Sequence, residues 1–236
     1  MKYVADRTGR FPKRPHYERA ELDQECERII IEFMRQQCGG FSLPIPTDAL
    51  TKLIEKDAED LDLFADLTDE GHDVEGVTDF QPKRKPKVRI SQTLSSHSNE
   101  HRLRTTLAHE YGHVKFHDFL WQLEAADQKL HPKLARETSP KCNRQRILDA
   151  PYTDWMEWQA GYVCGALLMP VTSIRNATGR FLEAHKLFAP IAATSQQAGL
   201  LIGIVHKDFG VSRDAARVRL MKLNLLTATD LGPQLL

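Results

Sequence analysis

Cysteine is scarce in this sequence, and the few cysteines present are scattered along it. No two of Cys26, Cys38, Cys142 and Cys164 form a Cys-x-x-Cys pair. A disulfide framework and a sulfur-rich zinc knuckle both need closely spaced cysteines, so neither is expected here. We therefore expect reduced thiols, and any metal site would draw its ligands from other residue types.

The sequence also lacks a net charge and a long apolar run. Lys and Arg together number 32, as do Asp and Glu, so wholesale capture of the chain by nucleic acid or anionic lipid is not expected. No apolar run reaches the roughly 18 residues that a membrane-spanning helix needs. Residues 1–15 are basic and polar, without the apolar stretch of a secretory signal. These features predict a cytoplasmic protein with no membrane segment.

Length and apolar spacing indicate a folded protein of the α+β class. The 236 residues are 41% hydrophobic and 27% charged, which suffices for one sizeable core or two small ones. Apolar residues three and four apart predict a helix over 18–37, and a second helix is predicted to begin at Thr47 as its capping residue. Further helices are predicted over 99–117, 155–169, 195–208 and 212–223. The alternating segment 88–94 predicts a strand, within a small sheet near 74–94.

Two neighbouring segments carry opposite charge. Residues 55–79 hold eleven carboxylates and one lysine, but the aspartates do not follow the spacing of a calcium-binding loop. A solvated acidic face is therefore the favoured interpretation. The basic residues of 83–89 could bind phosphate, yet an exposed hairpin, where charge discourages unwanted strand pairing, is favoured over a phosphate site.

The segment His109-Glu110-Tyr111-Gly112-His113 carries the clearest chemical pattern. On a helix, residues four apart lie on the same face, so both imidazoles can reach one zinc ion while Glu110 stands about 100° around the axis. Apolar neighbours such as Leu107 and Val114 would bury such a helix. The competing interpretation is a pair of ordinary, partly buried histidines with Glu110 in a surface ion pair.

A catalytic zinc needs a third protein ligand and one open position. His117 lies about 12 Å along the helix axis from His109, too far to join the same ion, but it could act in an outer position. Glu157 is the preferred third ligand because it opens a segment whose small residues would let a second helix approach closely. Asp154 and Glu124 are the alternatives, and Glu157 could also be a surface carboxylate at a helix start.

These motifs together resemble the ImmA/IrrE family of metallopeptidases. The resemblance spans roughly residues 45–225, and many relatives carry Asn where this chain has Gly161. The stretch 118–152 also looks longer than in the smallest relatives. The matching motifs are Thr106-Leu107-Ala108-His109-Glu110-Tyr111-Gly112-His113, Glu157-Trp158-Gln159-Ala160-Gly161-Tyr162-Val163, Leu167-Leu168-Met169-Pro170, Phe209-Gly210-Val211-Ser212 and Arg219-Leu220.

The resemblance implies a zincin-like core with a small sheet, and a zinc-dependent endopeptidase activity. It implies His109, His113 and Glu157 as zinc ligands and Glu110 as the general base. It further implies that the protein substrate is a helix-turn-helix transcriptional repressor. The expected division is an N-terminal helical segment (1–44), the metallopeptidase core (45–175) and a helical C-terminal subdomain packed on the core (176–236).

Several further points stay open on the sequence alone. Tyr111, His117, Tyr152 and His185 are possible donors to the oxyanion, with none assigned. An extended substrate could add as a strand to a sheet edge, for which Val88–Ser91 is a plausible template.

Two competing functions also remain. Residues 195–223 could form a DNA-binding helix-turn-helix whose second helix carries basic side chains, although a hydrophobic buttress for the metal helices is favoured and binding of nucleic acid is not expected. A partner-binding protein with a structural metal and no hydrolysis is the other competing possibility. The basic side chains of the second helix are Arg213, Arg217, Arg219 and Lys222.

Overall fold

The structure, a computed structural model, describes residues 1–71, 73–81, 83–96, 99–127, 141–143 and 154–228, with only the backbone of 124–127 and 141–143. The described strands are β1 (Lys2–Ala5), β2 (Lys13–His16), β3 (Asp60–Ala65), β4 (Val74–Asp79), β5 (Lys87–Ser91), β6 (Lys141–Asn143), β7 (Ile191–Ala192) and β8 (Leu226–Thr227). The described helices are α1 (Arg19–Gln37), α2 (Thr47–Asp57), α3 (Glu100–Asp127), α4 (Trp155–Leu168), α5 (Val171–Ala184), α6 (Gln196–Phe209) and α7 (Arg213–Lys222). The predicted α+β class is confirmed. Among the described helices, none is both long enough and apolar enough to span a bilayer.

A mixed sheet in the order β3-β5-β4-β6 packs against α3. β3 runs parallel to β5, whereas β4 runs antiparallel to both β5 and β6. β4 is buried along nearly its whole length because it lies between two strands and over the helix. This strand therefore places its residues directly beside the His109–His113 segment of α3.

The predicted edge template at Val88–Ser91 is wrong. This segment is part of β5, which is paired on both sides, by β3 and by β4. The alternation of buried Val88 and Ile90 indicates which face of a strand is covered, but it carries no information on the strand's neighbours. The outer side of β4 is paired too, because Gly76 lies opposite Cys142 of β6.

The acidic and basic segments pair with each other. The acidic segment contains β3 and β4, so it is more than a solvated face, and the basic residues 83–85 lie on the exposed connection from β4 to β5. Arg89 donates to Asp79 at 2.7 Å and to Glu70 at 2.8 Å. Arg84 forms an ion pair with Glu59. The favoured interpretation of the basic cluster as a hairpin agrees with this arrangement.

α3 ends ten residues beyond the predicted helix, which ended at residue 117. Leu120 and Trp121 of α3 belong to an aromatic cluster separate from the main core, in which Phe80 stacks on Trp121 with ring centroids 3.8 Å apart. Phe11, from the connection between β1 and β2, meets the same Trp121 edge-on at 5.0 Å. The N-terminal hairpin of β1 and β2, which the sequence did not predict, is held in place by this cluster.

α4 crosses α3 at very short range. A Cβ atom on Gly112 would lie 3.0 Å from the Cα atom of Ala160. Twelve of the fourteen α4 residues are buried, so α4 is an interior helix. It begins at Trp155 and ends at Leu168, within one residue of the prediction.

The remaining helices surround this pair. α1 buries Leu22, Cys26 and Ile30 and contacts α4. α2 does begin at Thr47, but the predicted cap is wrong: Pro46 occupies the N-cap position without a side-chain cap, and the Thr47 hydroxyl donates to Glu100 at 3.0 Å. The predicted helices at 195–208 and 212–223 are α6 and α7. Ser195 and Ser212 cap α6 and α7 through their hydroxyl oxygens.

Candidate metal centre

Three buried side chains converge between α3 and α4. The Nε2 atoms of His109 and His113, one turn apart on α3, are 3.2 Å from each other. Glu157 lies in the first turn of α4. Its Oε2 atom is 3.2 Å from Nε2 of His109, and its Oε1 atom is 3.2 Å from Nε2 of His113. Both histidines are fully buried, and Glu157 is 3% exposed. The structure thus brings together the three residues that were expected to hold the metal.

The spacing of these atoms suits a tetrahedral ion. Ligand atoms held at about 2.0–2.2 Å around a tetrahedral zinc lie about 3.3 Å from each other, close to the separations seen here. Two imidazole nitrogens and one carboxylate oxygen are also a donor set that zinc accepts. His109, His113 and Glu157 could therefore hold a metal ion as they stand.

The electrostatics of the triad favour a charged carboxylate. Burial alone would raise the pKa of Glu157, but attraction to His113 and hydrogen bonds with both histidines outweigh burial and hold this pKa well below its usual range. Burial lowers the pKa of His113, but the neighbouring Glu157 more than reverses this and raises it. A divalent cation between these groups would take over the role of the imidazole charge and release protons on binding.

Glu110 lies on α3 next to the triad and faces β4. Thr78 donates its hydroxyl hydrogen to Oε2 of Glu110 at 2.5 Å. The other oxygen, Oε1, is buried and has no hydrogen-bond partner in the described part of the chain. Burial raises the pKa of Glu110, although the nearby His113 and His109 and the Thr78 hydrogen bond oppose it. A carboxylate with a raised pKa and one oxygen that accepts no hydrogen bond from the described residues is suited to accept a proton.

β4 is fitted closely to this part of α3. A Cβ atom on Gly76 would lie 2.5 Å from Oε1 of Glu110, so any larger residue here would displace the carboxylate from its present position. Beyond Gly76, Glu75 accepts a hydrogen bond from Thr106 at 3.2 Å and forms an ion pair with Arg102. These contacts fasten the strand to the helix one turn before Glu110. Sequence reasoning missed Thr78 and Gly76, because nothing in the local pattern of β4 indicates what it packs against.

His117 lies behind the triad and does not join it. Its Nδ1 atom is 3.0 Å from Nδ1 of His113, and its Nε2 atom is 3.1 Å from Oε1 of Gln159. Gln159 in turn donates to the carbonyl oxygen of Pro15 at 3.1 Å. This arrangement agrees with the outer position expected for His117. Gln159 and Pro15 were not predicted, and their contact spans 144 residues of sequence.

The other candidates take different places. Asp154 caps α4 and is outside the converging group. The hydroxyl of Tyr111 donates to Asp57 of α2 at 3.0 Å, and His185 ends α5 with its ring stacked on Phe181. The side chain of Glu124 and the whole of Tyr152 lie outside the described residues.

Fold and site together define a class of protein: a zincin-like α+β fold with a buried His-His-Glu group that could bind a metal beside a further buried carboxylate. A family model described as peptidase M78, IrrE N-terminal-like domain, matches residues 77–221. Because this match covers more than half of the 236 residues, the chain belongs to the IrrE N-terminal-like peptidase family. The resemblance to the ImmA/IrrE family is thereby confirmed, and membership suggests a metallopeptidase that acts on protein. A search of curated proteins found no match.

Proposed function

We propose that this protein is a zinc-dependent endopeptidase in which His109, His113 and Glu157 hold the ion and Glu110 is the general base. The observation that carries this proposal is the pairing of a triad that could hold a metal with a second buried carboxylate, one oxygen of which has no hydrogen-bond partner among the described residues. A purely structural metal site has no use for that second carboxylate. Family membership supports the same chemistry.

Each protein group has a distinct role in the proposed reaction. When bound, zinc supplies a Lewis acid that lowers the pKa of water from 15.7 toward about 7 and polarises the peptide carbonyl. Glu110 accepts a proton at Oε1 as water attacks the carbonyl carbon, and afterwards delivers this proton to the leaving amine. Thr78 holds the other Glu110 oxygen, so that Oε1 keeps its direction.

The proposed substrate is a helix-turn-helix repressor, whose cleavage would release genes for stress response or mobile-element transfer. This extension rests on the resemblance to the ImmA/IrrE family, and the active-site residues themselves carry no sign of it.

The competing DNA-binding function loses support at α7. One of its basic residues, Arg219, is 1% exposed and is engaged with Asp23, so it cannot reach phosphate. Arg213 and Arg217 are exposed, but Arg213 donates to a backbone carbonyl of α6. The buried side of α7 supports the buttress interpretation, because Ala216 and Leu220 pack in the main core.

The proposal is tested with three variants of the full chain. Wild type should bind about one zinc ion, and His113→Ala should lose it, because two protein ligands do not make a closed zinc site. Glu110→Gln should keep the zinc and lose cleavage of a co-expressed repressor encoded beside this gene, read as metal-dependent fragments by mass spectrometry. Glu183→Gln, an exposed carboxylate on α5, is the matched control and should cleave normally. Normal cleavage by Glu110→Gln would refute the assignment of the base.

A further inference from the structure

We propose that His117 and Gln159 are positioning residues that fix the tautomer of His113, with the backbone carbonyl of Pro15 in the N-terminal hairpin as the fixed end of the chain of hydrogen bonds. The inference rests on the proposed function only in taking His113 as a metal ligand. It concerns which ring nitrogen of His113 is free to bind the ion.

The direction of the hydrogen bonds follows from the end of the chain. The carbonyl oxygen of Pro15 can only accept, so the Gln159 atom that faces it must be the amide nitrogen. Oε1 of Gln159 therefore faces His117. An amide oxygen also only accepts, so Nε2 of His117 must carry a hydrogen. The Pro15 carbonyl thus determines the orientation of the Gln159 amide, and this amide determines that the hydrogen of His117 is on Nε2.

The same logic continues to the triad. With its proton on Nε2, a neutral His117 presents a lone pair at Nδ1, which lies 3.0 Å from Nδ1 of His113. His113 must then donate from Nδ1. When a metal ion displaces the proton that Nε2 of His113 shares with Glu157, the ring keeps its single N–H at Nδ1 and Nε2 presents a lone pair to the ion. That atom is the one that faces His109 and Glu157.

Burial makes this order of donors and acceptors hard to reverse. His113 and His117 are fully buried, Gln159 is 1% exposed, and Pro15 is buried as well. Reversing any one member would set two hydrogens or two lone pairs against each other in a place closed to water. In the reversed order, His113 would carry its hydrogen on Nε2 and could not bind the ion there.

The two metal histidines are not equivalent in this respect. Nδ1 of His109 is buried without a partner in the described part of the chain, whereas Nδ1 of His113 has His117. Second partners of this kind set the orientation and basicity of metal-bound histidines. The chain of hydrogen bonds therefore acts on the metal through His113 alone.

The hairpin that supplies the Pro15 carbonyl is anchored beside the same helix. Trp155, two residues before Glu157, donates from its indole nitrogen to Asp6 at 3.1 Å. The guanidinium of Arg14 lies 5.4 Å from the centre of the Trp155 ring. The position of the hairpin thus links the first residues of the chain to the metal affinity of a site formed by α3 and α4.

The test uses zinc affinity, measured by competition with a chromophoric chelator, so that it does not depend on peptidase activity. Gln159→Leu removes the acceptor for His117 and should weaken zinc binding by about 10–100-fold. Gln159→Glu should recover affinity to within a few fold of wild type, because burial favours its neutral form, whose carbonyl oxygen accepts from His117 and whose hydroxyl donates to the Pro15 carbonyl. Gln122→Leu is the matched control, a glutamine of α3 that bonds to backbone carbonyls outside this chain of groups, and its zinc affinity should be unchanged.

A nitrogen-15 NMR spectrum of the histidines in zinc-loaded wild type gives an independent readout. His113 should be protonated at Nδ1 and bound to zinc through Nε2, and His117 should be protonated at Nε2. A different tautomer for either ring overturns the inference, as does an unchanged zinc affinity in Gln159→Leu, and the wild-type spectrum decides the matter even if that variant fails to fold. A wild-type chain that binds no zinc would instead refute the proposed function itself.

Discussion

At the scale of single residues, the contact between Thr78 and Glu110 has the most direct consequence for catalysis. The Thr78 hydroxyl is the hydrogen-bond partner seen for the Glu110 carboxylate, and Thr78 is fully buried. This hydrogen bond stabilises the ionised form of Glu110 against the effect of burial. The strand β4 therefore influences the proton affinity of the proposed base through the Thr78 hydroxyl.

We predict that Thr78→Val raises the pKa of Glu110 further, because valine keeps the shape of the side chain but lacks the hydroxyl that donates to Glu110. A hydrogen bond to a charged group contributes about 1.5–3 kcal/mol, equivalent to roughly one pH unit or more in the pKa. The base works only when ionised, so the acidic limb of the pH–rate profile should move to higher pH by about one unit. Zinc affinity should stay the same.

Thr78→Ser is the control for this prediction. Serine keeps the hydroxyl, so its pH–rate profile should stay close to that of wild type. If Thr78→Val and Thr78→Ser show the same acidic limb, the hydroxyl does not control the ionisation of Glu110.

At the scale of elements, the distance between α3 and α4 determines whether the triad can assemble. His109 and His113 belong to one helix and Glu157 to the other, and the two helices approach each other closely at Gly112. Gly112 lies within the motif that carries the histidines. Glycine is needed at this position because an added Cβ atom would meet the backbone of Ala160, which cannot move aside as a side chain can.

We predict that Gly112→Ala destabilises the protein, because the added methyl group overpacks the contact between the two helices. Compared with a Gly→Ala change at a helix position with open space around it, the loss should be about 1–3 kcal/mol. Gly112→Ala should also weaken zinc binding, since α4 carries Glu157. The matched control is Gly179→Ala in α5, where a Cβ atom meets nothing within 4 Å. That control should stabilise the protein by about 0.5–1 kcal/mol.

Chemical denaturation with a chelator present separates the packing effect from the effect on metal binding. Gly112→Ala and Gly179→Ala should then differ in their free energies of unfolding. Equal values for the two variants would mean that α4 moves aside at no cost and that Gly112 does not set the helix distance.

Elements with a strong period were predictable from the sequence, whereas partners in space were not. The helix predicted over 18–37 is α1, which buries a regular series of apolar residues, and that over 155–169 is α4, which is apolar and buried along nearly its whole length. The hairpin of β1 and β2 was missed because four-residue strands are too short to show a period, and of their eight residues only Pro15 is buried. Strand β3 was missed because acidic residues alternate on its exposed face, within a segment whose charge favoured a solvated face.

The candidate site shows the same division. The His109–His113 pair follows from helix geometry alone, and the preference for Glu157 followed from its segment and from the family resemblance. Thr78 and Gln159 had no local signal, because each acts through a contact across a long stretch of sequence. Thr78 and Gln159, which act on the proposed base and on a proposed metal ligand, could therefore be identified only from the folded structure.

At the scale of the whole molecule, a buried ion pair joins helices from the two ends of the chain. Arg219 of α7 donates to Asp23 of α1 at 2.7 Å and to the carbonyl oxygen of Met169, which follows α4, at 3.2 Å. Tyr162 of α4 donates to the other Asp23 oxygen at 2.9 Å. The network thus connects all three of the segments 1–44, 45–175 and 176–236, and the division of the chain at these boundaries stays a prediction.

We predict that Arg219→Met lowers the free energy of unfolding by about 3–5 kcal/mol, because it leaves the Asp23 carboxylate buried without its cation. Changing both partners, as Arg219→Met with Asp23→Leu, should recover much of this loss, since the unpaired charge is then gone. Arg217→Met, on the exposed side of the same helix, is the control and should stay within about 0.5 kcal/mol of wild type.

Denaturation followed by tryptophan fluorescence and by far-ultraviolet circular dichroism should give one coincident transition in wild type, because the pair couples the segments. Two separate transitions, or a loss confined to one of them in Arg219→Met, would show that the C-terminal helices unfold independently of the metal-binding core.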